Sequence, residues 1–365
     1  MKKILIYGAG AIGRGYLPWV FSPQDYDYYF VESNSNLRNL INERKSYSTF
    51  KTTPFGYVEM NVPVKVCYSP GEEKSIISTF DAVATAVGPR NFLGLKDSLM
   101  NTTVPVISCE NDSLMPAILS KMTNNPNIVF AIPDVITSCT APAELLKNDP
   151  LSITTEDGVC FIDEKVAHLK ANASYVSKEE LVKQWAAKLY IHNTPHCVTA
   201  YFGSIIGVTY LHESMENSVV SKIVEGCMRE MEQMLIKKYN IDKDFLAFYS
   251  NKELSRFRNK LLFDPIARVA REPFRKLASN DRLIGAANLC LSSGIVPTNL
   301  ITGIMSAFCF ESDNDPDFHI KFLMNGLSSE EFLRTIIGLH DHDALFSLLI
   351  EHWNENLKLI NNLKK

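Results

Sequence analysis

Apolar residues in the first half of the chain come in short unbroken runs, and in the second half at helical spacing. KILIY (3–7) has the length of a strand buried on both faces. YDYYFVESN (26–34) predicts a second strand ending at Glu32, and FDAVATAVG (80–88), VPVISCEN (104–111) and NIVFAIPD (127–134) predict three more. From about residue 177 the pattern changes. Ser177 precedes Glu180 at capping-box spacing, and Leu181, Trp185 and Leu189 follow at intervals of four. Further helical patterns cover 213–239, 243–263 and 328–362, broken at RVAREPFRK, GIVPTN and ESDNDPD. The prediction is an α/β protein: a parallel-sheet domain over 1–177, then a mainly helical domain over 178–365.

The first turn gives the sheet domain a chemistry. GAGAIGRG follows the first strand directly, and Gly8, Gly10 and Gly13 fit G-x-G-x-x-G. The first glycine permits a tight turn, the second lets a pyrophosphate approach, and the third lets helix and strand pack closely. Ala11 and Ile12 open the helix, whose free N–H groups attract phosphates. Glu32, ~20 residues on, is placed to accept hydrogen bonds from the adenosine ribose hydroxyls. The domain therefore reads as a Rossmann-type dinucleotide-binding unit. A carboxylate there repels a 2′-phosphate, which favours NAD, although Arg38 is a cation that could reach one. Ligands bind outside the carboxyl ends of such strands, which singles out Val87-Gly88-Pro89, Glu110-Asn111 and Asp134. Asn111 is the most informative, because its amide can donate to a substrate oxygen; a plain turn is the alternative for Asn111 and Asp134.

Composition narrows the classes. The 365 residues suffice for two domains, and 46% hydrophobic with 21% charged residues is ordinary for a soluble globular protein. A net charge of -4 argues against nucleic acid, so an anionic ligand must be held by a local cluster. The cysteines at 67, 109, 139, 160, 197, 227, 290 and 309 form no C-x-x-C pair and sit among apolar neighbours. They suit reduced, buried thiols in a cytoplasmic protein. ILIY is too short for a secretory signal core, and no segment approaches the ~20 apolar residues of a membrane span.

In the helical half, KLYIHNTPH (188–196) concentrates polar groups. On an unbroken helix Lys188, Asn193 and His196 fall within an arc of roughly 140°. Pro195 either kinks that helix or starts a new one with Thr194 as N-cap. His192 shares the arc, and two histidines four apart resemble half a metal site, but no H-E-x-x-H or cysteine pair completes it. Further on, Arg268, Arg271, Arg275, Lys276 and Arg282 crowd into one stretch suited to phosphate or carboxylate. A solvated basic face is the alternative; nucleic acid is not favoured, since no aromatic residues interleave in the pattern it needs.

GAGAIGRGY, TAVGP, SCEN, K-L-x-x-x-N-T-x-H and R-V-x-R-x-P-x-R-K-L, in that order, resemble the polyol-specific long-chain dehydrogenases/reductases from residue 3 to about 285. Lys188-x4-Asn193-x2-His196 is the specific motif. The resemblance implies metal-independent hydride transfer to or from NAD, with Lys188 as general base, which must be partly neutral near pH 7. It implies Asn193 and Asn111 as donors to the reacting oxygen, and His196 as a ligand of a substrate hydroxyl that helps orient the lysine. It places Arg268, Arg271 and Lys276, with Asp134, around the polyol. Arg271 and Arg275 are assigned to a phosphate, and the modest length suits the sugar-phosphate branch. Two departures stand near these positions. Relatives often carry glutamate where this chain has Trp185 or Ala186, and they tend to follow the aspartate with arginine where this chain has Val135. A related polyol or hexonate dehydrogenase, or a non-catalytic NAD(H) sensor, are the other readings. No heptad seam is evident and the family includes monomers, so a monomer is expected.

Overall fold

The computed structural model describes residues 1–364 apart from 139, 313, 314 and 318. It divides into two compact units, Met1–Trp185 and Ala186–Lys365. The sequence pattern had put the division at 177/178.

Unit 1 carries ten strands: β1 (Lys2–Tyr7), β2 (Tyr26–Val31), β3 (Ser46–Thr53), β4 (Gly56–Tyr68), β5 (Ala82–Thr85), β6 (Val106–Ser108), β7 (Ile128–Asp134), β8 (Ile153–Thr155), β9 (Val159–Asp163) and β10 (Ser174–Val176). Their order is β10-β9-β7-β6-β5-β1-β2-β4-β3-β8. The five predicted strands form the parallel centre, with Ile4 of β1 opposite Tyr28 of β2 on one side and Ala82 of β5 on the other. Successive residues of β1 enter different cores: Ile4 and Ile6 on one face, Leu5 and Tyr7 on the other. That explains an unbroken apolar run, since both faces of a central parallel strand are covered. Because β1 lies between β2 and β5, its carboxyl end is a switch point of the sheet, where such folds bind ligands.

The flanking strands gave no comparable signal. β4 pairs antiparallel with β3, and its exposed and buried positions intermix along its length instead of forming a single apolar run. The runs at 80–88 and 104–111 also exceed their strands, because their last residues form loops.

Unit 2 is helical. Helix α1 (Lys178–Ala187) belongs to unit 1 as far as Trp185 and begins as predicted, with the Ser177 hydroxyl accepting from the Glu180 N–H at 3.3 Å. A wide π-helical turn, Lys188–Asn193, leads into α2 (Thr194–Ile206), whose residues from Thr194 to Gly203 are all buried. Around α2 pack α3 (Ser218–Tyr239), α5 (Ile266–Ala270) and α6 (Thr298–Phe308), while α4 (Lys243–Phe257) lies against α3. The single helix predicted over 213–239 is two, because Asn217 is extended and its side chain caps Val219 and Val220. The pattern over 328–362 is likewise interrupted, at Gly338 with φ +79°. RVAREPFRK is not a plain loop: it holds α5 and the short turn Pro273–Lys276, separated by Glu272 at φ +58°. Seven cysteines are free and buried; Cys139 lies outside the described residues. Among the described residues no helix is long and apolar enough to cross a membrane.

Candidate active site

The singled-out residues fall in both units, and each set is described within its own. In unit 1 the three glycines divide by role. Gly8 has φ +91°, and a Cβ there would lie 2.5 Å from the Ala86 carbonyl oxygen. A Cβ on Gly13 would lie 1.9 Å from the Gly8 carbonyl oxygen. Both positions exclude any side chain by backbone crowding. At Gly10 a Cβ would meet nothing within 4 Å, which leaves room for a pyrophosphate against the loop. Ala11 and Ile12 open the following helical turn, Ala11–Tyr16, where the first N–H groups have no carbonyl within the helix to meet.

Glu32 stands one residue past β2 and reaches this loop. Its Oε2 accepts from the Ala9 N–H at 2.9 Å and its Oε1 from the Asn34 N–H at 2.8 Å. Arg38 Nη1 donates to the Glu32 carbonyl oxygen at 2.9 Å and so ties down the same strand end. The Val87 and Gly88 N–H groups are taken by Glu110, which accepts them at 2.9 and 2.8 Å. Burial raises the Glu110 carboxyl, and these two donors oppose the rise. Glu110 therefore holds the loop, whereas the sequence pattern favours its neighbour Asn111. Asn111 is exposed, and Asp134 is buried at the end of β7.

The two departures are structural in this chain. Trp185 meets Phe130 edge-on, with ring centroids 5.3 Å apart. Val135 is buried, and the next N–H, of Ile136, donates to the buried Glu156 at 2.5 Å.

In unit 2, Lys188 and Asn193 lie in the wide turn between α1 and α2, and His196 lies in the first turn of α2. Pro195 lacks an N–H, and in a straight α-helix its ring clashes with the carbonyl four residues back. The wide turn before it absorbs that conflict, as such turns do at functional sites. Thr194 has φ -67° and ψ -60°, so it continues the helical path and does not cap a new helix. Lys188 is 6% exposed, as is Asn193. The Asn193 Nδ2 is sealed from solvent with no hydrogen-bond partner among the described residues. An unmet buried donor costs ~1–3 kcal/mol.

Both histidines are tied to buried carboxylates that motif reading missed. His192 Nδ1 lies 2.5 Å from Glu253 Oε2, and Glu253 also accepts from Arg256. His196 Nε2 lies 2.9 Å from Asp264 Oδ2. Arg268 donates from Nε and Nη2 to Asp264 Oδ1, at 2.9 and 2.5 Å. The rings of His192 and His196 are 4.8 Å apart, and Phe257 stacks on His196 at 5.2 Å. Burial pushes the His196 imidazole down to about 4 against the pull of Asp264, so it is neutral. Burial works to raise Asp264, but Arg268 and His196 outweigh it and hold the carboxyl at about 2. The only sequence trace of these partners is charge spacing: Glu253 three before Arg256, Asp264 four before Arg268. Among the described residues no group of three or more histidine, cysteine or acidic side chains could hold a metal ion.

The basic stretch is mostly committed. Arg275 pairs with Glu272 at 3.1 Å and Asp281 at 3.2 Å, and buried Arg282 with Asp281 at 2.7 Å. Lys276 is buried; its Nζ donates to the Arg271 carbonyl oxygen at 2.6 Å and to that of Val269, closing the end of α5. Burial pushes Lys276 down to about 7; Cys197 opposes this, while Arg282, Arg275 and Arg271 add to it. Arg271 is exposed, and its guanidinium has no partner among the described residues.

Comparison with known proteins finds two family models in sequence: a mannitol dehydrogenase Rossmann domain over 2–184 and a mannitol dehydrogenase C-terminal domain over 181–320. The chain is 29% identical to a mannitol-1-phosphate 5-dehydrogenase of Thermoanaerobacter pseudethanolicus, across 97% of this chain and 98% of that one. It is 31% identical to the enzyme of the same name from Clostridium acetobutylicum, across 86% and 88%. Among solved structures it resembles the Pseudomonas fluorescens mannitol 2-dehydrogenase ternary complex with NAD and D-mannitol. There the TM-score is 0.76 and identity 14%, covering 99% of this chain and 94% of that one. A substrate-free D-sorbitol dehydrogenase gives a TM-score of 0.62 at 13% identity, covering 99% and 91%. At such identity the solved structures speak for the fold.

Proposed function

The chain belongs to the mannitol dehydrogenase family, and on that premise we propose that it interconverts D-mannitol 1-phosphate and D-fructose 6-phosphate. The family makes it an NAD-dependent polyol dehydrogenase; the phosphorylated substrate and the residue roles are inferred. NAD, when bound, supplies the acceptor for the hydride leaving the carbinol carbon. Gly8, Gly10, Gly13, Ala11 and Ile12 would hold its pyrophosphate and Glu32 its ribose, beside the loop of Val87 and Gly88. The open space at Gly10 and the reach of Glu32 to the Ala9 N–H support that fit.

Lys188 removes the hydroxyl proton during oxidation and returns it during reduction. Its burial favours that role, since an ammonium is costly away from water. Asn193 donates to the reacting oxygen as negative charge builds, with Asn111 as a second donor. The observation that carries this reading is the buried Asn193 amide with no partner, five residues from a buried lysine. His196 and Asp134 bind polyol hydroxyls, with Arg268 and Lys276 shaping the site through their neighbours. The phosphate falls to Arg271, aided by Arg275, which is already shared between Glu272 and Asp281.

The test is the initial rate of NADH oxidation with fructose 6-phosphate, beside fructose, tagaturonate and fructuronate. Turnover of the phosphate alone, abolished in Lys188→Ala, is the expected result. Preference for another ketose overturns the substrate and leaves the mechanism. NADH binding without turnover of any of them overturns both in favour of a sensor.

A further inference from the structure

We propose that Asp264, clamped by Arg268, is a positioning residue that fixes His196 as the Nε2–H tautomer and so leaves Nδ1 as a hydrogen-bond acceptor for a substrate hydroxyl. The inference rests on the polyol dehydrogenase reading for the identity of the hydroxyl, but the tautomer itself follows from the geometry alone. An ionised carboxylate only accepts hydrogen bonds. Asp264 Oδ2 lies 2.9 Å from His196 Nε2, so that nitrogen carries a proton. Arg268 cannot accept, and its two donors occupy Oδ1, which keeps the carboxylate ionised and aims Oδ2 at the ring.

A neutral imidazole has one N–H, so with Nε2 protonated Nδ1 is a bare lone pair. Nδ1 has no partner among the described residues. The charged and titratable groups that act on this ring are Asp264, His192 and Arg268, and burial outweighs the one that favours protonation. Phe257 stacks on the ring, with centroids 5.2 Å apart. An acceptor there complements Asn193, which offers only an unmet N–H. Together they can read a substrate hydroxyl and the reacting oxygen by opposite polarity.

The test needs no variant at its first step. In protein carrying ¹⁵N-histidine, the two-bond correlation pattern of the His196 ring distinguishes the tautomers. An Nε2–H pattern is expected across neutral pH, with the Nδ1 resonance moving on addition of fructose 6-phosphate and NADH. An Nδ1–H or doubly protonated ring overturns the proposal. Asp264→Asn, whose amide can turn its N–H toward the ring, is expected to shift the tautomer. It should cost about 10- to 100-fold in kcat/KM, the scale of a lost charge-assisted hydrogen bond, mainly through KM. Asp264→Glu should recover part of it, and NADH affinity should not move. A variant that melts earlier with unchanged kcat and KM overturns the positioning role. Failure of the wild type to turn over any ketose counts against the activity alone, because the ring spectrum is read without it.

Discussion

The glycine loop of unit 1 and the polar passage of unit 2 solve the same problem in opposite ways. Around Gly8 and Gly13 the backbone itself is the site: carbonyl oxygens come so close that a single Cβ cannot fit. Around His196, just past the wide π-helical turn, the candidate site consists of side chains held by other side chains, Asp264 and Arg268 on one histidine, Glu253 and Arg256 on the other. A backbone site binds a constant ligand portion, such as a pyrophosphate, and tolerates almost no substitution. A side-chain site sets protonation and donor direction, which is what proton transfer and hydroxyl recognition require, and it can diverge one partner at a time.

The contrast can be broken most decisively at Lys188. Lys188→Ala should lose about 10²- to 10⁴-fold in kcat, the usual contribution of a general base, with NADH affinity by fluorescence titration unchanged. Asn193→Ala should lose about 10²- to 10³-fold in kcat while Tm holds, because the Nδ2 it removes has no hydrogen-bond partner among the described residues. A large fall in Tm there would mean that the amide is structural. Gly13→Ala tests the other half: overpacking against the Gly8 carbonyl should cost about 1–3 kcal/mol in urea unfolding and weaken NADH binding, leaving the His196 ring spectrum as in the wild type.

Acid stability sharpens the comparison within unit 2. Asp264 titrates at about 2 when folded, below the ordinary ~3.9 of an unfolded aspartate. Its stabilisation is therefore fully present above about pH 4 and is lost as the pH falls toward 2, amounting to about 2 kcal/mol. Asp264→Asn should lack that loss in acid unfolding curves, and equal slopes for both proteins would remove the ion pair from the stability argument. The smallest effect is expected at Arg271, which is exposed and has no guanidinium partner among the described residues. Arg271→Ala should raise the KM for fructose 6-phosphate by about 10-fold with Tm unaltered, and an unchanged KM would take the phosphate away from it.

Much of unit 1 was legible in advance because its signals are local. A strand buried on both faces must be continuously apolar, as KILIY is, and a turn at φ +91° must be glycine. The strands β3, β4, β8, β9 and β10 were not legible, since pairing at the edges of the sheet leaves no unbroken apolar run. In unit 2 the chain itself specified which chemical groups are present at 188, 193 and 196, and that they share one helical passage. It did not specify whether Pro195 breaks the helix, which His192 and His196 partners lie 61 and 68 residues away, or which arginines are already paired. Those are decided by packing. Whether a buried histidine is neutral and which nitrogen holds its proton depend on charges brought within about 3 Å by the fold, and no spacing along the chain encodes that distance.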